Sequence, residues 1–241
     1  MLSVVVLAAG KGTRMGGDIP KVLRKVGGLT MLEHVVKTAK KLTENVIVVV
    51  SKENHDEIQK LELGVEYSVQ SKLDGTASAV LSAEEKYLGS DILVLLGDVP
   101  LLKSETLEKI VRRGSRCAVL GFQHQDVTNK FGRVILNDNV VEKIVEYNEA
   151  TEEERKIKTV NSGILFLERE HLHLLKKIEN KNSKSEYYLT DIVKICVFEN
   201  VQVDYFEADA ISCLGANTPE DLAVLEDIIL KECTNKEDIK R

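Results

Sequence analysis

The chain has 241 residues, a formal net charge of −6 and a pI of about 5.5, which allows one large α/β domain or two small ones with a buried core. The acidic balance argues against a nucleic-acid-binding protein, because a surface that follows a polyphosphate chain needs an excess of Lys and Arg. No apolar run approaches transmembrane length and the N-terminus has a strand pattern, so we expect a cytoplasmic protein without a membrane partner.

Strand and helix patterns alternate along the first half of the chain. Apolar runs of strand length occur at 3–7, 46–50, 65–69 and 92–96, and segments of helical periodicity at 30–42, 53–61, 76–88 and 104–112, the last capped by Ser104. This repeated βαβ layout predicts an α/β fold with a mostly parallel sheet and helices on both faces.

Strand patterns cluster more closely from residue 117 onwards, with fewer helices between them. They occur at 117–122, 133–136, 140–145, 160–167 and 201–206, and helices are predicted at 170–178, 187–198 and from 218. The clustering predicts an antiparallel or mixed extension of the same sheet. Residues 186–191 have the pattern of a helix start, and we assign them no direct chemistry.

The four cysteines are scattered along the chain. They form no Cys-x-x-Cys pair, and no histidine lies at the spacing of a metal ligand. We therefore expect the reduced, buried thiols of a cytosolic protein at Cys117, Cys196, Cys213 and Cys233.

A glycine-rich turn with two cations follows the first strand. Gly10 and Gly12 bracket the turn, and Arg14 and Lys21 lie just beyond it. Such a turn at the carboxyl end of a parallel strand is where α/β proteins bind phosphates. The turn is not a Walker loop, and Met15 stands at the third glycine of the dinucleotide fingerprint. The pattern favours a nucleotide loop over its alternative, a structural turn with surface cations.

Two further strand ends carry candidate ligand groups. Asp98 follows the strand at 92–96, and a single carboxylate there suits Mg²⁺, although an Asx turn or a helix cap is the alternative. Gln70 ends another strand, and its amide could read a nucleobase edge together with the backbone amides before Thr76. The alternative for this second segment is an ordinary loop with Thr76 as the cap.

Nine motifs occur in the order seen in one known family: LAAGKGTRM, PKVL, QSKLDGTASAV, LLGDVPLL, FGRVI, IVEYNEATEEER, VNSGILFLE, SEYYLTDIV and GANTPEDL. From about Ser3 to about Glu226 the chain resembles the N-terminal uridylyltransferase half of the bacterial bifunctional N-acetylglucosamine-1-phosphate uridyltransferase/glucosamine-1-phosphate acetyltransferase. The first two motifs mark the broad group of sugar nucleotidyltransferases, whereas EYYLTD and the IVEYNEATEEER stretch are much narrower.

The resemblance implies a Rossmann-like nucleotide-diphospho-sugar transferase fold. It also implies a Mg²⁺-dependent reaction of UTP with N-acetylglucosamine 1-phosphate that gives UDP-N-acetylglucosamine, a cell-wall precursor, and pyrophosphate. By resemblance, the substrate-binding residues would be Leu7, Ala8, Ala9 and Gly10 for the uridine and phosphates, Gln70, Gly75 and Thr76 for the uracil side, Gly97, and Gly132, Glu146 and Asn161 for the sugar. Arg14 and Lys21 would be catalytic residues on the phosphates, and Asp98 and Asn217 would bind Mg²⁺.

The sequence also departs from this family. We find no hexapeptide repeats of the acetyltransferase half, so we expect one nucleotidyltransferase domain over 1–233, with a nucleotide half (1–120), a sugar half (121–233) and a polar, fraying tail (234–241). Without that half we expect a monomer or weak dimer and no acetyltransferase activity. Leu96 replaces the usual Tyr, and Ala77 and Ser78 replace Gly and His. These changes leave open another nucleotide or sugar, or a binding module without turnover.

Overall fold

The structure is a computed structural model that describes residues 1–10, 12, 15–16, 19–138 and 140–238, with side chains described up to Lys231 in the last helix. Within these residues nine strands form one sheet, and a short hairpin, β2 with β3, forms a second. In chain order the strands are β1 (Leu2–Leu7), β2 (Lys25–Val26), β3 (Leu29–Thr30), β4 (Val46–Ser51), β5 (Glu66–Gln70), β6 (Asp91–Leu96), β7 (Cys117–Gln123), β8 (Arg133–Asn137), β9 (Val140–Val145), β10 (Thr159–Leu167) and β11 (Val203–Glu207).

The main sheet has the order β5-β4-β1-β6-β10-β7-β11-β9-β8. The first four strands pair in parallel. Strand β10 is antiparallel to both β6 and β7, and β11 returns to parallel pairing with β7. Strand β9 is antiparallel to β11 and to β8. Only β9 and β10 therefore run against the others, which confirms the predicted mostly parallel sheet with a mixed extension.

Helices cover both faces of this sheet. They are α1 (Met31–Lys40), α2 (His55–Gln59), α3 (Thr76–Leu81), α4 (Glu84–Tyr87), α5 (Ser104–Arg112), α6 (Glu152–Arg155), α7 (Asp191–Phe198) and α8 (Pro219–Asp238), with 3₁₀ helices at Lys21–Leu23, Arg169–Lys177 and Ile211–Cys213. Alternate residues of β1 enter different cores: Val5 packs in the core that includes α3 and α7, and Val4 and Val6 pack in the core that includes α1 and α5.

Several predicted helix boundaries were wrong. The segment 76–88 forms two helices, α3 and α4, instead of one. Ser104 is the first residue of α5 and not its cap, because Lys103 holds the cap position. The segment 170–178 is a 3₁₀ helix, and the helix expected from 187 begins at Asp191. Helix α8 continues to Asp238, so residues 234–238 are helical where a frayed tail was expected.

The prediction of free, buried thiols is confirmed for the described cysteine side chains. Cys117, Cys196 and Cys213 are free and buried, and Cys233 lies outside the described side chains. Among the described residues, no helix combines the length and apolar character needed to cross a membrane.

Candidate active site

Two adjoining cavities open over the carboxyl ends of β1 and β6. The larger has a volume of about 700 Å³ and the smaller about 300 Å³. They share part of their walls, so together they form one cleft. The shared residues are Leu7, Thr76, Leu96, Asp98 and Glu146.

The larger cavity brings together the residues predicted for the nucleotide. The predicted residues in its wall are Leu7, Ala8, Ala9, Gly10, Lys21, Gln70, Gly75 and Thr76. The backbone after β1 is held by Asn54, whose buried side-chain amide donates to the carbonyl of Ala8 at 2.8 Å. Gly12 has a φ of +60°, and a Cβ there would lie 2.5 Å from Cβ of Lys21. The glycine turn therefore packs directly on Lys21, while Arg14 lies outside the described residues.

Lys21 lies between the two predicted metal ligands. Its Nζ contacts Oδ2 of Asp98 and donates to Oδ1 of Asn217 at 3.0 Å. The side chains of Lys21 and Asp98 are only 15% and 18% exposed. Three separate elements supply these groups: the 3₁₀ helix at Lys21–Leu23, the end of β6 and the turn before α8. Two oxygen ligands thus converge on a single point in the centre of the cleft.

This donor set fits Mg²⁺ together with bound phosphates. One carboxylate and one amide oxygen are hard ligands, and Mg²⁺ commonly takes one or two protein carboxylates and leaves its other positions to phosphate and water. No group of three or more His, Cys, Asp or Glu side chains placed to hold a metal occurs among the described residues. The site therefore fits a metal shared with a substrate better than a closed structural metal.

The Gln70 loop uses its amide group internally. Nε2 of Gln70 donates to the carbonyl of Gly75 at 3.0 Å and to Oγ of Ser78 at 2.9 Å. Ser78 in turn donates to Oδ1 of Asp74 at 2.5 Å. Because an amide has two N–H groups and both are used here, only Oε1 of Gln70 is left for a nucleobase.

The segment 186–190, to which the sequence analysis gave no chemistry, forms a wall of the cleft. Tyr187 pairs with the Gln70 loop through its N–H to the carbonyl of Asp74 (2.7 Å) and its carbonyl to the N–H of Ala77 (2.9 Å). Gly75 has a φ of +138°, and a Cβ there would lie 2.3 Å from the Tyr187 carbonyl oxygen. Tyr188 lines the larger cavity and Thr190 the smaller. The narrow EYYLTD motif was the sequence signal for this placement.

Gly132, Glu146 and Asn161, which the resemblance assigns to the sugar, meet in the smaller cavity. The N–H of Asn161 donates to the carbonyl of Gly132 at 2.9 Å. A Cβ on Gly132 would lie 3.7 Å from Oε1 of Glu146. Oδ1 of Asn161 accepts from the N–H of Gly163 at 3.1 Å, where β10 bulges against β7. This hydrogen bond fixes the orientation of the Asn161 amide.

Glu146 is a largely buried carboxyl. Burial raises its pKa above the ordinary value, while a hydrogen bond of 2.9 Å from the Thr190 hydroxyl acts in the opposite direction. Thr76, at the other side of the same segment, accepts the N–H of Leu189 on its hydroxyl at 2.9 Å. The segment 186–190 therefore joins both cavities through hydrogen bonds.

Gly97 and Leu96 differ in their relation to the cleft. Gly97 donates its N–H to the Leu7 carbonyl at 2.9 Å and packs on Ala8, and it is not among the described residues that line either cavity. Leu96 lines both cavities, and a Cβ on Gly163 would lie 2.5 Å from its Cδ1. An apolar side chain thus stands in the middle of the cleft.

A parallel sheet edge with a lysine and a carboxylate paired beside an open cleft is the site of an α/β protein that binds phosphorylated ligands. Residues 4–172 match the family model described as the MobA-like NTP transferase domain, and the chain belongs to this family. The family expectation from the sequence is therefore confirmed.

Curated relatives support the narrower resemblance. The chain is 37% identical over 236 residues to the "Bifunctional protein GlmU" of Paramagnetospirillum magneticum, a match that covers 95% of this chain and 52% of the relative. It is 38% identical over 238 residues to the protein of the same name from Azorhizobium caulinodans, with 95% and 53% covered. The chain thus spans about half the length of the curated relatives it matches.

Solved structures confirm the predicted nucleotide-diphospho-sugar transferase fold. A putative glucose-1-phosphate thymidylyltransferase from Bacillus anthracis superposes with a TM-score of 0.76 at 21% identity, over 95% of both chains. A UDP-glucose pyrophosphorylase complexed with UDP-glucose superposes with a TM-score of 0.73 at 15% identity, over 96% of this chain and all of the other. At these identities the likeness establishes the fold.

Proposed function

We propose that this chain transfers a uridylyl group from UTP to N-acetylglucosamine 1-phosphate, which gives UDP-N-acetylglucosamine and pyrophosphate. The observation that carries the proposal is the two-armed cleft with Asp98 where the arms meet. The larger arm begins after β1 at Gly10 and suits a nucleotide. The smaller arm extends from the shared wall to Gly132 and Asn161 and suits a single sugar ring. The curated relatives named GlmU support the same reaction class.

The proposed chemistry is an in-line displacement at the α-phosphorus of UTP. An oxygen of the sugar phosphate forms the new bond to phosphorus, the bond to the bridging oxygen of the β-phosphate breaks, and pyrophosphate leaves with the electron pair. The attacking oxygen already carries negative charge, so the reaction needs no general base. The task of the protein is to align two polyanions and to offset their repulsion.

The described residues can perform this task. Lys21, in the 3₁₀ helix that follows the glycine turn, would turn its ammonium from Asp98 to the phosphates as a compact point charge. Arg14, which lies outside the described residues, would act on the phosphates as a planar donor. Asp98 and Asn217 would hold Mg²⁺, which would supply positive charge to offset the charge that develops on the phosphates.

On the sugar arm, the carboxylate of Glu146 would accept hydrogen bonds from sugar hydroxyl groups. Asn161 would donate through Nδ2, because its Oδ1 already accepts from Gly163. The backbone of Gly132 would lie against the ring, since glycine leaves room between Ile144 and Glu146. We further propose that 1–120 supplies most of the nucleotide arm and 121–233 the sugar arm, with Lys184, Glu186 and Tyr188 crossing to the nucleotide side.

A second candidate is a transferase of the same class that uses another sugar 1-phosphate or another nucleotide. Leu96 favours this second candidate, because its side chain lines both arms and offers no hydroxyl group. The family that the chain resembles usually has Tyr at this position. A polar contact discriminates between sugars more strongly than an apolar wall does.

Pyrophosphate release tests the proposal. The purified chain is incubated with Mg²⁺, with UTP, dTTP, CTP, GTP or ATP, and with the 1-phosphates of N-acetylglucosamine, N-acetylgalactosamine or glucose. Release that is strongest with UTP and N-acetylglucosamine 1-phosphate, and that stops with EDTA, is the expected result. A preference for another pair supports the second candidate. Folded protein that binds UDP-N-acetylglucosamine and releases no pyrophosphate overturns both, and indicates a binding module.

A further inference from the structure

Arg133 is a fully buried arginine whose hydrogen-bond acceptors among the described residues are all neutral. Its relative exposure is 0%, and it is among the largest fully buried side chains described. No ion pair joins it to a carboxylate among the described residues. A buried cation of this kind requires that its N–H groups find other partners, because an unsatisfied buried donor is costly.

Five acceptors match the five N–H groups of the guanidinium. Nε donates to the carbonyl of Arg155 at 3.1 Å, Nη1 donates to Oδ1 of Asn129 at 2.9 Å and to the carbonyl of Phe131, and Nη2 donates to the carbonyls of Val127 at 2.9 Å and Asn129 at 3.1 Å. The guanidinium therefore joins the loop 127–131, which leads into β8, to Arg155 at the end of α6.

Arg133 also lies beside the residues that are predicted to bind the sugar. It pairs with Val145 of β9 and with Val160 of β10. Gly132, Glu146 and Asn161 are the neighbours of these three residues along their strands. We call the Arg133 side chain with its five acceptors the clamp. Arg133 and its two strand partners are thus each one residue from a group that lines the smaller cavity.

Aromatic contacts extend the clamp to the residue after Glu146. The guanidinium of Arg133 lies 5.5 Å from the centre of the Tyr147 ring, and that of Arg155 lies 4.9 Å from the same ring. Nε of Arg155 also donates to the carbonyl of Tyr147 at 3.2 Å. Tyr147 is therefore held by two cations and one hydrogen bond, which limits the movement of Glu146.

On the loop side, the clamp holds residues that form part of the wall of the smaller cavity. Lys130, Phe131 and Gly132 line that cavity directly. The N–H of Phe131 donates to Oδ1 of Asn129 at 3.0 Å, the same oxygen that Arg133 contacts. Movement of the guanidinium would therefore move this wall of the cavity.

We propose that Arg133 is a positioning residue for the sugar phosphate, a role that rests on the proposed function. It touches no substrate and acts by holding Gly132 and Glu146 in the geometry that binds the sugar. Two motifs of the sequence, FGRVI and IVEYNEATEEER, then share one task, since the first contains Arg133 and the second contains Tyr147 and Arg155.

The test compares the KM values for the two substrates. Arg133→Lys keeps the charge but offers its N–H groups from a single atom, which cannot reach both segments. We expect the KM for N-acetylglucosamine 1-phosphate to rise at least tenfold, and the KM for UTP to stay within twofold.

A milder set of variants covers the case in which Arg133→Lys does not fold. Asn129→Ala removes one acceptor of Arg133, and we expect a severalfold rise in the KM for the sugar phosphate alone. Asn129→Asp loses the donation from Nδ2 to the Asp126 carbonyl. It should still restore the KM, because it keeps the oxygen that accepts from Arg133. Thr128→Ala is the control in the same loop, because the Thr128 hydroxyl donates to Asp126 and not to an acceptor of Arg133. We expect both KM values to be unchanged.

The results separate this inference from the proposed function. Wild-type protein without turnover overturns the proposed function, and hydrogen exchange then tests the clamp: faster exchange of the amides in 127–132 and 147–155 in Asn129→Ala supports it, and unchanged exchange overturns it. If the wild type is active, a lower active fraction with unchanged KM values overturns the positioning role, and so does an equal rise in both KM values.

Discussion

The ammonium group of Lys21 contacts the carboxylate of Asp98, 77 residues further along the chain, and the same ammonium donates to Asn217. The sequence analysis gave these residues two different roles, with Lys21 on the phosphates and Asp98 and Asn217 on Mg²⁺. The structure brings the proposed phosphate cation and the proposed metal ligands to one point. An internal cation thus occupies the oxygens that a divalent metal would use.

Metal affinity without substrates depends on this contact. In Lys21→Met the two oxygens lose their cation, so we expect Mn²⁺ to bind the nucleotide-free protein at least severalfold more tightly than it binds the wild type. Titration of Mn²⁺ by electron paramagnetic resonance measures the affinity. Lys103→Met, which removes a half-exposed lysine from an ion pair with Asp209, is the matched control. Equal affinities in Lys21→Met and wild type would contradict the prediction.

Asp98→Asn removes the charge of the central carboxylate and keeps its shape. Loss of one group that offsets charge in a transition state typically lowers the rate about 10²–10³-fold. We expect a loss of that size in pyrophosphate release, with a melting temperature close to that of the wild type. Asp209→Asn changes a carboxylate outside the cleft and should retain full turnover. Near-normal turnover of Asp98→Asn would show that this carboxylate is not part of the chemistry.

Glu146 makes stability depend on pH. Burial raises its folded pKa above the ordinary value of 4.5, so the folded protein holds this proton more tightly than the unfolded chain does. The stability contributed by the protonated group is present below pH 4.5 and is lost as the pH rises through the folded pKa. We therefore expect Glu146→Gln, which can still accept from Thr190, to be more stable than wild type at pH 7 and to lose that advantage near pH 4.

Thermal unfolding at the two pH values measures this effect. A second readout is the affinity for UDP-N-acetylglucosamine, which should fall in the wild type as the pH drops through the folded pKa and stay flat in Glu146→Gln. The same pH dependence in both proteins would assign it to another group.

Gly75→Ala tests the junction between the Gln70 loop and Tyr187. The φ of +138° strains a side chain, and the new Cβ would lie within 2.3 to 2.7 Å of the Tyr187 backbone. Strain of this kind costs about 1–3 kcal/mol, and the contact with backbone atoms adds to it. Gly89→Ala is the control, because Gly89 has a φ of +78° and open space around it. Denaturant unfolding should show a larger loss for Gly75→Ala, and equal losses would mean that the junction yields easily.

Local patterns predicted the first strands of the sheet well. Strand and helix periods depend on neighbouring residues, and β1, β4 and β6 lie within one residue of their predicted ends. The wall formed by 186–190 was missed because it depends on contacts between distant segments, such as the hydrogen bond from Leu189 to Thr76 across 113 residues. Its local pattern is that of a helix start, and α7 does begin directly after it.

Side-chain roles were harder to predict than positions. Gln70 lies in the cleft as expected, but its amide hydrogens are used within its own loop. Gly132, Glu146 and Asn161 are brought together by the pairing of β8 with β9 and β10, and periodicity does not specify which strands pair. The resemblance to a family supplied these three residues, and the residues alone did not.

The reversed direction of β10 changes where ligand groups are found along a strand. In a parallel sheet, residues that reach the substrate follow the last residue of a strand, as Asp98 follows β6. Because β10 is antiparallel to β6, Asn161 reaches the same edge from the third position of its strand, next to the bulge. A search of this sequence that inspected only loops after strands would pass over Asn161. The inverted direction of β10 lets the sheet edge at Asp98 gather ligand groups from the beginning of one strand as well as from the ends of others.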